Sequence, residues 1–142
     1  MAAGGTRCRR ALRDAEKGTS AVEFALVAPL FLLMLMGIFA YGGYFWRAHS
    51  LQQVANDAAR AAIAGLTATE RDTLARAAVL SEIQDLAGID PARSTVQVHE
   101  TEDAIEVALN YDARHDVFFQ FPLVPMPPST IRRNAAVRLG GL

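Results

Sequence analysis

Glu23 is the side chain whose type and position ask most directly for a chemical reason. It stands in KGTSAVEFALVAPLF, Lys17 to Phe31, five residues after Gly18 and six before Pro29, at the mouth of a run that is otherwise apolar. An acid at the centre of a membrane span costs about 2.5–3.5 kcal/mol to insert and less near the interface, so an acid there is usually functional. In the first turn of a helix it gains about 0.3–1 kcal/mol from the dipole. The plainer alternative is an interfacial glutamate that snorkels to water or caps its helix. Other reactive types are scattered. His49, His99 and His115 lie far apart in no metal-ligand spacing, and Cys8, the only cysteine, cannot form an intramolecular disulfide. No nucleophile elbow, phosphate loop or paired zinc ligands occur. No catalytic residue, metal ligand, cofactor or small-molecule substrate is therefore expected, and an enzyme is the disfavoured class.

The element that must position Glu23 is a membrane span. From Phe24 to Trp46 there is no charged residue, histidine or amide side chain. These are about 23 residues, roughly 34 Å of helix, enough to cross the hydrocarbon layer with a little tilt. Ahead of it, Arg7, Arg9, Arg10, Arg13 and Lys17 outweigh Asp14 and Glu16, which places this end in the cytoplasm by the positive-inside rule and the remainder outside. That remainder is mildly acidic and carries no footprint for nucleic acid. The run is too long for an ordinary secretory signal and lacks a small-residue cleavage site after it, so it reads as a retained anchor. Tyr41, Tyr44 and Trp46 suit an aromatic belt at the outer interface. Gly37, Gly42 and Gly43 would let helices approach closely, without a clean small-residue spacing. Pro29 lacks an amide hydrogen and predicts a kink or loosening near Ala25.

Met1 to Gly18 has no apolar periodicity and reads as a disordered basic leader. Beyond Trp46, Leu51, Val54, Ala55, Ala58, Ala62 and Ile63 recur at helical steps, so one helix is expected from about Ser20 to about Ala64, ended by Gly65 as a left-handed cap. Thr67 and Glu70 have capping-box spacing and open a second helix with Leu74, Ala77, Ala78, Ile83, Leu86 and Ala87 on its apolar face, stopped by Gly88 and Pro91. Thr95–His99 and Ala104–Tyr111 alternate as a hairpin, and Thr130–Leu139 offers a third strand with Ile131, Ala135, Val137 and Leu139 as apolar members. The expected fold class is α+β: a long N-terminal transmembrane helix continuing into an amphipathic stalk, with a small head of one helix and a three-stranded antiparallel sheet. The expected divisions are a leader at 1–18, span and stalk at 19–65, and an extracytoplasmic head at 66–142.

Lys-Gly-Thr-Ser-Ala-Val-Glu-Phe, with its basic residue, glycine and acid five residues on, resembles the processing site of the type IV pilin superfamily. AVEFALVAPLFLLMLMGIFAYG followed by LQQVANDAARAA resembles, more narrowly, the TadE/TadG-like minor pseudopilins of tight-adherence (Tad) pilus systems, and TadE most closely because no large added domain follows. The resemblance covers about Gly18 to Ala62; the head is similar only in outline. It implies a membrane-embedded prepilin peptidase as partner, cutting between Gly18 and Thr19. It also implies other pilins and pseudopilins of the Tad machinery as partners, with Glu23 pairing to the amino terminus of a neighbouring subunit. The implied place is the bacterial inner membrane, single-pass, with a periplasmic head and possible incorporation in a pilus; the implied role is pilus assembly and surface adhesion. The rival readings are an uncleaved, signal-anchored periplasmic interaction subunit and, more distantly, a tethered periplasmic enzyme.

One stretch stays open. VFFQFPLVPMPPS, Val117 to Ser129, is apolar but broken by prolines, too short to span and too rich in proline for an interior strand. It is either a loop folded over the head's own core or a docking patch, through Phe118, Phe119 and Phe121, for a neighbouring subunit or the membrane surface.

Overall fold

The computed structural model describes residues 5–120 and 125–139, with residues 5–19 described by their backbone alone. Helix α1 runs Gly5–Ala62 with Pro29 inside it, and helix α2 runs Ala68–Asp85. Strands β1 (Ser94–Glu100), β2 (Ala104–Asp112) and β3 (Thr130–Arg138) form an antiparallel sheet in the order β1-β2-β3. The fold is α+β, and among the described residues one helix is long and apolar enough to cross a membrane. The chain divides into two compact units, Met1–Ile38 and Phe39–Leu142, and the boundary falls within α1.

Several sequence expectations need correction. The leader is helical from Gly5 onward, where no order was expected. Ala11, Leu12, Arg13, Ala15, Glu16 and Lys17 are strong helix formers with no proline among them, and a helix already nucleated by the span extends at low cost. At the other end α1 stops at Ala62, and the chain tightens into three-residue turns, Ile63 N–H to Arg60 C=O at 3.2 Å and Gly65 N–H to Ala62 C=O at 3.1 Å. Gly65 is not the left-handed cap; among the described residues only Gly88 has a positive φ, 75°. Gly65 matters for space instead, since a Cβ there would stand 2.7 Å from the Arg71 amide nitrogen.

The capping box at α2 is complete: the Thr67 hydroxyl accepts from Glu70 N–H at 3.2 Å, and the Glu70 carboxylate accepts from Thr67 N–H at 3.2 Å. Its inward face is Ala75, Val79 and Ile83, with Ala78 and Leu86 partly buried; Leu74, Ala77 and Ala87 are exposed. The expected face was rotated by about one residue because alanines are ambiguous in a helical pattern, tolerated on either side.

In the second unit, Leu51, Val54, Ala55, Ala58, Ala59 and Ala62 of α1 are buried, whereas Ile63, just past the helix, is exposed. Together with α2 they cover one face of the sheet, where Ile105, Val107, Leu109 and Tyr111 of β2 are buried. Register puts Val96 opposite Leu109 and Val98 opposite Val107, so β1 sends its valines to the same face. On β3 that face carries Ile131, Arg133, Ala135 and Val137. Arg133 is the interruption in the apolar alternation: its Nε donates to the Ala48 carbonyl of α1 at 2.9 Å. The outer strands are each reached by a helix side chain. Arg76 Nη1 of α2 donates to the Val96 carbonyl at 2.9 Å, and Gln52 Nε2 of α1 donates to the Asn134 carbonyl at 2.9 Å.

Candidate functional site

In the first unit the site is a stretch of helix. The Gly18–Thr19 bond lies within α1, so its backbone is part of a helix and exposing it requires local unwinding. Glycine lowers that cost, being about 1 kcal/mol less favourable than alanine in a helix interior. Glu23 follows on the same helix, one turn after Thr19, and its side chain is exposed; no cationic side chain among the described residues meets it. Around it Val22, Phe24, Leu26 and Val27 are all exposed. This is a carboxylate on an apolar cylinder with no partner from the described part of its own chain. Pro29 is also exposed, and α1 continues as helix through it.

In the second unit the polar feature is buried. Arg47, the first charged residue after the apolar run, places its Nε 2.8 Å from Asp116 Oδ2, with both side chains under one-tenth exposed. The N–H is not aligned with that oxygen, so this is a charge contact rather than a hydrogen bond. Arg47 Nη1 donates to the Gly88 carbonyl at 2.5 Å, and the positive φ of Gly88 brings that carbonyl round. Asp116 Oδ1 accepts from Tyr111 O–H at 3.2 Å and from Arg93 Nη1 at 3.3 Å. Burial holds the Tyr111 phenol above its ordinary range, with Asp116 nearby adding to the shift. The network ties α1, the turn after α2 and the turn after β2 together.

Phe118 and Phe119 sit on a short 3₁₀ turn, Val117–Gln120. The Phe118 ring lies 5.7 Å from Phe39 and 5.0 Å from the Arg47 guanidinium, over the notch at Gly43, where a Cβ would stand 2.2 Å from its Cε1. Phe119 meets Tyr44 edge-on at 6.2 Å and packs against the core. Both rings lie against α1 residues of their own unit; Phe121 falls outside the described residues. Tyr44 thus serves the core, and Gly43 admits a ring of its own chain, while Gly37 and Gly42 have nothing within 4 Å of a Cβ position.

Residues 18–60 match the family model of the TadE-like protein. This stretch is a TadE-like segment. No curated protein and no solved structure matches the chain. The match covers less than a third of the chain, the apolar run and the helix that follows it, and leaves α2 and the sheet outside it. It contains Gly18, Thr19, Glu23 and Pro29 on one helix, and it ends inside the head's core.

Where the TadE-like segment faces α2, a shallow groove of about 420 Å³ is lined by Ser50, Asn56, Asp57, Arg60 and Glu82. Burial, then the Asp57 charge, raises the Glu82 carboxyl above its ordinary value. No three His, Cys, Asp or Glu groups among the described residues come together to hold a metal. The Arg47–Asp116 network and the seat of Phe118 at Gly43 were missed in the sequence. The one signal available was Arg47 itself, a cation at the end of a span that reads equally well as an anchor to lipid headgroups.

Proposed function

We propose that the chain is a minor pseudopilin of a Tad-type pilus machine, cut by a prepilin peptidase between Gly18 and Thr19 and taking part in pilus assembly and surface adhesion. It sits in the bacterial inner membrane by α1, with the basic end cytoplasmic and the head periplasmic. The observation that carries this reading is the exposed Glu23, which meets no cation among the described residues, on an apolar helix within the TadE-like match. Hydrolysis of the Gly18–Thr19 bond releases the basic leader and leaves an ammonium on Thr19. Within lipid, that ammonium on one subunit and Glu23 on the next neutralise each other, so the insertion cost of each charge falls when helices stand side by side. Pro29 removes one helical hydrogen bond and loosens the span where it must leave the bilayer for a filament.

The test is the mass and N-terminal sequence of the chain recovered from cells with and without a prepilin peptidase. A start at Thr19 that requires the peptidase is expected; an intact chain in the presence of abundant peptidase overturns the proposal in favour of the uncleaved interaction subunit. Carbodiimide cross-linking should then join Glu23 to the Thr19 amine of a neighbouring subunit, and Glu23→Gln should abolish that product while leaving the cut in place.

A further inference from the structure

We infer that the Val117–Gln120 turn and the proline-rich segment at 125–127 enter the interfacial layer of the bilayer on the head's side, so that the head rests on lipid rather than standing clear of it. This rests on α1 being the span and not on the pilus reading.

The level of these segments is fixed by what they touch on α1. Phe118 packs on Phe39 and over Gly43, Phe119 on Tyr44, and the Tyr41 hydroxyl donates to the Pro125 carbonyl. All four α1 positions belong to the uncharged run that ends at Trp46. Phe39 stands about 10 Å along the helix axis from Trp46, so a helix seated with its whole apolar run in lipid carries the turn to the depth where aromatic side chains partition at the interface. The surface there is apolar on both elements: Val117 is 56 % exposed, Phe39 58 % and Phe45 61 %. Phe39, Phe45 and the exposed Trp46 all belong to the uncharged run that a span seats in lipid, and this selects lipid over a protein partner as the occupant.

The local chemistry fits entry. No charged residue occurs from Val117 to Ser129. A backbone entering lipid must bring no unpaired donors. Phe119 N–H is bonded to the Asp116 carbonyl at 3.0 Å, and Pro125, Pro127 and Pro128 have no N–H to bring. Asp116, the acid next to the turn, is buried against Arg47.

The experiment uses the full chain with Cys8→Ser, reconstituted in phosphatidylethanolamine–phosphatidylglycerol vesicles. A polarity-sensitive fluorophore is placed by Val117→Cys, by Leu33→Cys in the span, or by Gln97→Cys on the open face of the sheet. Spin-labelled lipid should quench the probes at 33 and 117, and iodide should quench at 117 roughly threefold less than at 97, as expected for an interfacial side chain. If 33 is quenched by lipid while 117 responds to iodide as 97 does, the inference is overturned and the span stands. A probe at 117 shielded from both quenchers also overturns it, in favour of a protein cover. Failure of lipid quenching at 33 removes the span and the inference together. The pilus reading is scored separately by the start at Thr19.

Discussion

Two stretches of α1 meet different surroundings with different side chains. From Ser20 to Ile38 the outward residues are large, and Phe24, Leu26 and Leu30 are each about 70 % exposed. From Phe39 to Ala62 the buried positions are mostly small: Ala40, Ala48, Ala55, Ala58, Ala59 and Ala62. Both stretches are apolar, so apolarity alone does not name the solvent; size does. Lipid chains adapt to any contour and accept large side chains, whereas α2 and the sheet can approach the helix closely only where it is small.

The comparison can be broken most sharply at the end of the apolar run. Asp116→Ala leaves Arg47 buried without its countercharge and is expected to cost about 3–5 kcal/mol of head stability, read by urea unfolding in detergent micelles. A change near zero would mean that Arg47 escapes to water and that the head is looser than the structure shows. Next in size is a matched pair. Leu51→Ala in the core should cost about 2–5 kcal/mol, while Leu33→Ala, exposed on the span, should leave the same unfolding transition in place. Equal losses would erase the distinction between the two stretches.

Gly43→Ala sharpens the comparison at the junction. A methyl group there must displace the Phe118 ring, at an expected cost of about 1–3 kcal/mol, whereas Gly42→Ala meets open space and should gain a few tenths up to about 1 kcal/mol from helix propensity. The smallest effect is electrostatic. Glu82 has a folded pKa raised above 4.5, so its proton is held more tightly in the folded state. Its contribution is present below the unfolded value and is lost as pH rises through the folded one. Glu82→Gln should therefore raise stability at pH 7 by less than about 0.5 kcal/mol, since the group is mostly solvated, and flatten the pH dependence of the unfolding midpoint above pH 4.

What the sequence disclosed and what it concealed divide along the range of the interaction. The uncharged run, the Thr67–Glu70 box and the alternation of Ala104–Tyr111 are local, and each stands where its pattern placed it. Even the flaw in β3 was visible as a gap at position 133, though only the sheet register shows Arg133 turned inward to the Ala48 carbonyl. Arg47 with Asp116, and Gly43 with Phe118, join positions about 70 residues apart whose types carry no mark of each other. Gly65 misled because a glycine after a helix has two uses, a left-handed cap and simple room, and only the backbone angles distinguish them. At the candidate processing site, spacing is what singled out Gly18 and Glu23, while the helical backbone at Gly18 was not legible, because a flanking span can extend order into a sequence that would not hold it alone.

Arg76 and Gln52 reach carbonyls on the two outermost strands. Such margins, left bare, invite another molecule's extended segment to zip on. A guanidinium on one border and an amide on the other each occupy a carbonyl that such a segment would need, so each border is partly taken by the chain's own helices.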